Sequence, residues 1–72
     1  MTPITFRATA ARFARADDRR ICELAPSEIA GMGGSEYALL DGNTICDAGD
    51  LNRVTDWARE AGVLAVSETV TA

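Results

Sequence analysis

The chain has 72 residues, of which 47% are hydrophobic and 25% are charged, and its formal net charge is -4 at pH 7. The apolar content excludes a disordered tail, and the length predicts a single domain, residues 1–72, that buries only about 60% of the surface its unfolded form exposes. The sequence contains neither histidine nor lysine. It therefore excludes an imidazole base near neutral pH and a lysine amine for Schiff-base chemistry.

The first predicted elements are a strand and a helix. Ile4-Thr5-Phe6-Arg7 alternates apolar and polar residues, which is typical of a half-buried strand. From Thr9, which is placed to cap a helix, the apolar spacing becomes helical. The predicted apolar face of this helix is Ala10, Phe13, Ala14, Ile21 and Leu24. Residues 20–24 also alternate, so a strand over them is an open alternative.

A break and a glycine-rich run come next. Pro26 ends any continuous helix, and residues 27–30 are predicted to form one further turn before Gly31-Met32-Gly33-Gly34. Glycine amides can hold phosphate, but a P-loop also needs a Lys-Ser or Lys-Thr pair after its last glycine. Because the chain has no lysine, we predict a flexible linker here.

The clearest local signal is a β-hairpin. Residues 36–40 and 44–47 flank Asp41-Gly42-Asn43, and Asp-Gly and Gly-Asn pairs supply the positive backbone angles that tight hairpin turns require. Alternation places Ala38, Leu40 and Ile45 on one face of the sheet and Tyr37, Leu39 and Cys46 on the other.

A capped helix and a last strand complete the predicted elements. Asp50 is expected to cap a helix that Gly62 ends. Its apolar stripe is Leu51, Val54, Trp57, Ala58 and Ala61. Residues 63–66 are expected to form a buried strand that runs on through residues 67–70.

This order of elements predicts an α+β fold with the ferredoxin-like, or split βαβ, arrangement. Right-handed crossovers would then place two helices on one face of a four-stranded antiparallel sheet. A strand at residues 20–24 would give a smaller α+β layout instead. The other sheet face would be a partly apolar contact surface for a partner or a second copy, with Tyr37 as its anchor, unless the first helix or the C-terminal residues cover it.

The charge is unevenly distributed along the chain. Residues 1–35 carry five arginines against four acids, a net charge of +1, whereas residues 36–72 carry two arginines against seven acids, a net charge of -5. The negative field of residues 36–72 repels nucleic acid and attracts basic protein surfaces, so we predict no direct nucleic-acid binding. The only basic cluster, interpreted as a solvated helix face, is Arg12, Arg15, Arg19 and Arg20.

The residue types predict a protein without catalytic residues, metal or cofactor. Cys22 and Cys46 without histidine cannot complete a zinc tetrahedron, and Asp47 with Asp50 lacks the spacing of a calcium loop. We expect reduced, buried structural thiols, with a disulfide as the alternative. A small enzyme with one cysteine as nucleophile is the rival hypothesis. With no signal peptide or membrane-spanning run in the sequence, we expect a cytoplasmic protein that does not contact membranes.

All the basic residues of this chain are arginines. In size, acidity and layout over residues 37–66, the chain resembles the small phage-encoded anti-CRISPR proteins. The resemblance implies an inhibitor that binds a bacterial CRISPR effector, a basic nucleoprotein complex, by occupying the channel where target DNA enters. Acidic side chains would stand in for DNA phosphates. The candidate partner-binding residues are Tyr37, Asp41, Asp47, Asp50, Asp56 and Glu60. The alternative is a small bacterial interaction module or complex subunit that forms a homodimer through its open sheet face.

Overall fold

The computed structural model describes residues 2–16 and 18–72. Its helices and strands are β1 (Thr2–Thr5), α1 (Phe6–Ala16), β2 (Arg19–Glu23), α2 (Pro26–Gly31), β3 (Tyr37–Asp41), β4 (Thr44–Gly49), α3 (Leu51–Glu60) and β5 (Glu68–Thr71). Strands β2, β3 and β4 form an antiparallel sheet in that order, and β1 pairs with β5 in parallel. The protein therefore has a small mixed α/β fold. The ferredoxin-like order is not confirmed.

The first departure from the predicted order lies at the start of α1. This helix begins at Phe6, so the first strand covers residues 2–5 and not residues 4–7. The hydroxyl of Thr5 accepts a hydrogen bond of 3.4 Å from the amide of Ala8, and Thr5 thereby supplies the cap that was expected of Thr9. Thr9 lies one turn further on, fully buried, where its hydroxyl donates to the carbonyl of Thr5 at 3.1 Å.

The second departure is that α1 stops at Ala16. The alternative strand at residues 20–24 is confirmed, because residues 19–23 form β2 and pair with β3. Ile21 lies opposite Leu39 in this pairing, and both side chains are buried. Cross-strand burial of this kind outweighs the helical spacing that the same residues show. Arg19 and Arg20 consequently belong to a strand, and the four-arginine helix face does not form.

The predicted hairpin is confirmed by β3 and β4. Gly42 lies in its turn with φ of 63°, a conformation that glycine adopts without strain. Leu40 pairs with Ile45 as the alternation requires, whereas Leu39 pairs with Asp47, so the register shifts by one residue. Cys46 is the extra residue of this β-bulge. Its side chain is exposed, which contradicts the prediction of a buried thiol there, and Cys22 is half-buried.

The helix capped by Asp50 is confirmed as α3, but the predicted strand at residues 63–66 is wrong. Gly62, with φ of 75°, follows the helix, and the amides of Val63 and Leu64 both donate to the carbonyl of Ala58, at 3.0 and 3.3 Å. These amides close the helix end and are not available to a neighbouring strand. Val63 and Leu64 are nevertheless buried, and Val66 is 88% exposed. The last strand is β5, over residues 68–71.

The core lies on one face of the three-stranded sheet. Ile21, Tyr37 and Leu39 share that face, and α1 and α3 pack against it. The helices contribute Phe6, Phe13, Val54, Trp57 and Ala58. Both longer helices therefore cover the same side of the sheet, which leaves the side that carries Leu40 and Ile45 partly open.

The glycine-rich run forms a hydrogen-bonded turn at the end of α2 instead of a free linker. The amide of Met32 donates to the carbonyl of Glu28 at 3.0 Å, and the amide of Gly34 donates to Ile29 at 2.9 Å. Several backbone donors of this run are therefore already used by the end of the helix.

Candidate functional site

Asp47, predicted to bind a partner, joins β4 to α3. Its Oδ2 accepts hydrogen bonds from Trp57 Nε1 at 2.9 Å and from Arg53 Nε and Nη2 at 3.0 and 2.7 Å. Its Oδ1 accepts from the amide of Ala48 at 2.9 Å. The hydrogen bonds from Trp57 and then Arg53 lower the pKa of the Asp47 carboxyl, because they stabilise its ionised form. This carboxylate is committed to the fold.

Asp50 has an equally local role. Its carboxylate accepts a hydrogen bond of 3.1 Å from the amide of Arg53 and caps α3, as its position in the sequence predicted. The side chain is exposed, but one of its oxygens satisfies a helix-end donor that would otherwise lack a partner.

The remaining predicted acids, Asp41, Asp56 and Glu60, are exposed. Asp41 ends β3, opposite Arg19, and the other two lie on α3. The bond to Asp47 raises the pKa of Arg53, and the charges of Glu60 and Asp56 add to the effect. Arg53 therefore offsets part of the negative potential on this side of α3.

Tyr37 does not form the predicted surface anchor. It is only 6% exposed and lies in the core, with its ring centroid 4.5 Å from that of Phe6 and a tilt of 35° between the rings. The sequence placed Tyr37 correctly on the face of Leu39. That face, however, is the one that α1 and α3 cover.

A depression with two glutamates in its lining lies where Tyr37 meets the surface. This open depression of about 440 Å³ is lined by Glu23, Leu24, Ile29, Gly34, Glu36 and Tyr37, among others. Glu23 lies directly opposite Tyr37 across the β2–β3 pair. Glu36 is held in place by its backbone, which donates to the carbonyl of Gly49 at 3.2 Å and accepts from the amide of Leu24 at 2.9 Å. We call this depression the acidic groove.

The electrostatics of the acidic groove act on the Tyr37 hydroxyl. Burial is the main cause of its raised pKa, and the negative charges of Glu23 and Glu36 raise it further, since all three disfavour a phenolate. In residues 2–16 and 18–72, no group forms a hydrogen bond with this hydroxyl. Two exposed carboxylates thus flank an almost buried phenol whose polar end has no partner within the described chain.

Glu23 and Glu36 were not among the candidate site residues that the sequence predicted. The signal for Glu23 was the alternative strand over residues 20–24, which would have paired it with the hairpin. Glu36 was already placed at the start of that hairpin, but its proximity to Glu23 depends on the β2–β3 register.

The open side of the sheet is a second surface of interest. Ile45 is 47% exposed beside its cross-strand neighbour Leu40, which is half-buried. Arg20 and Cys22 alternate with Ile21 along β2 and so face this side as well. The surface is apolar and carries the exposed Arg20, in contrast to the acidic groove.

No group of three or more cysteine, aspartate or glutamate side chains in residues 2–16 and 18–72 is arranged to hold a metal ion. Over the same residues, no helix combines the length and the apolar character needed to cross a membrane.

Comparisons with models of known protein families, with curated proteins and with solved structures find no match to this chain.

Proposed function

We propose that this chain is a non-enzymatic binding protein that docks on a positively charged protein surface. The observation that supports the proposal is a set of exposed acids whose carboxylates form no hydrogen bond or ion pair in the described part of the chain. They are Glu23, Glu36, Asp41, Asp56 and Glu60. Unpaired surface carboxylates give a field that speeds encounter with a basic partner and suppresses contact with nucleic acid.

The chemistry of the side chains supports the non-enzymatic part of the proposal. Without histidine or lysine, a nucleophile would have to be activated by a carboxylate. Hydrogen bonds from Trp57 and Arg53 lower the pKa of the Asp47 carboxyl, which makes this carboxylate a weaker base.

The partner class to test first is a bacterial CRISPR effector, as the resemblance to anti-CRISPR proteins implies. In that interpretation Asp41, Asp56 and Glu60 stand in for DNA phosphates, whereas Asp47 and Asp50 support the fold. Direct contacts to bare DNA are not part of the proposal.

The test is a binding assay with the purified effector across a series of salt concentrations. We expect stoichiometric association that weakens as salt rises, because screening reduces attraction between exposed charges. The triple variant Asp41→Asn, Asp56→Asn and Glu60→Gln should bind more weakly, and the arginine-to-glutamine variant Arg15→Gln serves as the control. Binding that is insensitive to salt, tight binding to duplex DNA, or multiple turnovers of a substrate would overturn the proposal.

A second candidate function is self-association through the open sheet face, and the exposure of Ile45 beside Leu40 supports it. Sedimentation over a range of concentrations should then show a dimer that Ile45→Lys abolishes. Val66→Lys is the matched control, since Val66 is 88% exposed and lies outside the sheet. A monomer at all concentrations would eliminate this candidate.

A further inference from the structure

We propose that the acidic groove is a recognition pocket for a single arginine side chain presented by the partner protein. This inference rests on the proposed function, and it adds Glu23 and Glu36, which were not among the predicted partner-binding residues, to Tyr37, which was. The occupant is a guanidinium group.

The acidic groove combines negative charge with a hydroxyl that has no hydrogen-bond partner in the described chain. Glu23 and Glu36 are exposed residues that both line the groove, and neither carboxylate forms an ion pair within the described chain. Tyr37 is 6% exposed and lines the same groove, with no partner for its hydroxyl there. A cation that enters would meet three oxygen acceptors, and none of them would have to break an internal hydrogen bond first.

These oxygen acceptors match the donors of a guanidinium group. Arginine presents five N–H donors in a planar fork, so one side chain can serve two carboxylates and a phenol oxygen together. The half-buried side chains of Leu24 and Ile29 line the same groove and can contact the aliphatic stem. A guanidinium is also less strongly hydrated than an ammonium, which favours arginine over lysine against such apolar walls.

The shape of the acidic groove also suits a side chain of a partner protein. Its volume, about 440 Å³, is sufficient for one long side chain, but the depression is open to solvent. Small molecules are usually bound in pockets that bury most of their surface. An open groove suits a side chain that a partner surface holds in place, because the rest of that surface supplies the remaining contact area.

The test uses three short peptides, acetyl-Gly-X-Gly-amide with arginine, lysine or citrulline at X, and follows the amide signals of the full chain by NMR. The arginine peptide should shift the signals of Glu23, Glu36 and Tyr37 in a saturable manner. Citrulline keeps the shape but loses the charge, so it should cause no saturable shift. Lysine should bind several-fold more weakly than arginine.

Matched double variants show which carboxylates bind the arginine peptide. Glu23→Gln with Glu36→Gln should weaken binding of the arginine peptide by about tenfold or more, because charge-assisted hydrogen bonds are replaced by neutral ones. Asp56→Asn with Glu60→Gln removes the same charge from α3 and should leave binding within about twofold. Tyr37→Phe should weaken binding while leaving the fold intact, which circular dichroism will confirm.

Equal binding of the citrulline or lysine peptide, equal loss in both double variants, or shifts confined to α3 would overturn the arginine pocket. The proposed function fails in a different way. If the peptide binds in the acidic groove but no basic protein associates with the chain, the docking proposal is wrong and the pocket remains. If a basic protein binds and the groove variants do not weaken it, the pocket is wrong and the docking proposal remains.

Discussion

Asp47 accepts a hydrogen bond of 2.9 Å from the indole nitrogen of Trp57, and this contact fixes β4 against α3. Trp57 is 4% exposed, so its N–H has little access to water and depends on the carboxylate. The same Asp47 oxygen also accepts from Arg53. One acid of the predicted binding set is thus used to join two elements of the fold.

Asp47→Ala should destabilise the protein. The substitution leaves the buried indole N–H of Trp57 without an acceptor, and we expect a loss of about 1–3 kcal/mol in the free energy of unfolding. Chemical denaturation followed by the fluorescence of Trp57, the single tryptophan, measures it directly. Asp56→Ala removes an exposed acid of the same type from α3 and should change stability by no more than about 0.5 kcal/mol. Equal effects of the two substitutions would contradict the assigned role.

The contribution of Asp47 should depend on pH. Its pKa in the folded state is lower than the ordinary value of 3.8, because Trp57 and Arg53 stabilise the carboxylate. The unfolded chain therefore takes up the proton more readily, and stability falls as the pH decreases. The difference in unfolding free energy between wild type and Asp47→Ala should be constant above about pH 5 and shrink as the pH drops through and below the ordinary carboxyl range. A difference that grows on acidification would contradict this assignment.

The two cysteines should differ in their rate of reaction with a thiol reagent. Cys46 is the exposed extra residue of the β4 bulge, whereas Cys22 is half-buried on β2. We expect one fast and one slow phase with a disulfide reagent, because access to the sulfur limits the reaction. Cys46→Ser should remove the fast phase and Cys22→Ser the slow one. If both thiols react in a single phase, they are equally accessible, which would contradict this prediction.

Local signals in the sequence were sufficient for the hairpin and for α3. The Asp41-Gly42-Asn43 turn and the cap at Asp50 each act over a few residues, and both are found where the sequence predicted them. The pairing of β1 with β5 was not predicted, because it joins Thr2 to Glu68 and leaves no local pattern.

The candidate site was harder to predict, because it also depends on contacts between residues that lie far apart in the sequence. The acids were identified from the sequence by charge alone, but their availability depends on tertiary contacts. Asp47 is occupied because Trp57 packs against β4, and Glu23 reaches the acidic groove because β2 pairs with β3. Neither relationship follows from the spacing of the residues along the chain.

Tyr37 offers the most direct test of the acidic groove, since it is the only tyrosine in the chain. Its ionisation, followed by ultraviolet absorbance, should occur above the ordinary pKa of 10.0, because burial and the charges of Glu23 and Glu36 disfavour the phenolate. Glu23→Gln with Glu36→Gln should lower this pKa only part of the way to 10.0, since burial is the larger cause. Asp56→Asn with Glu60→Gln should leave it unchanged.

The raised pKa of Tyr37 also has a consequence for stability at high pH. The unfolded chain loses the phenolic proton at a lower pH than the folded chain, so the contribution of Tyr37 is complete below the ordinary value of 10.0 and is lost as the pH rises through the folded-state pKa. Tyr37→Phe, which has no proton to lose, should remove this alkaline loss of stability. At neutral pH it should change the unfolding free energy by less than about 1 kcal/mol, because the hydroxyl has no internal partner to leave unsatisfied. Ionisation of Tyr37 at or below pH 10.0 in the folded protein would contradict both the burial of this side chain and its position beside Glu23 and Glu36.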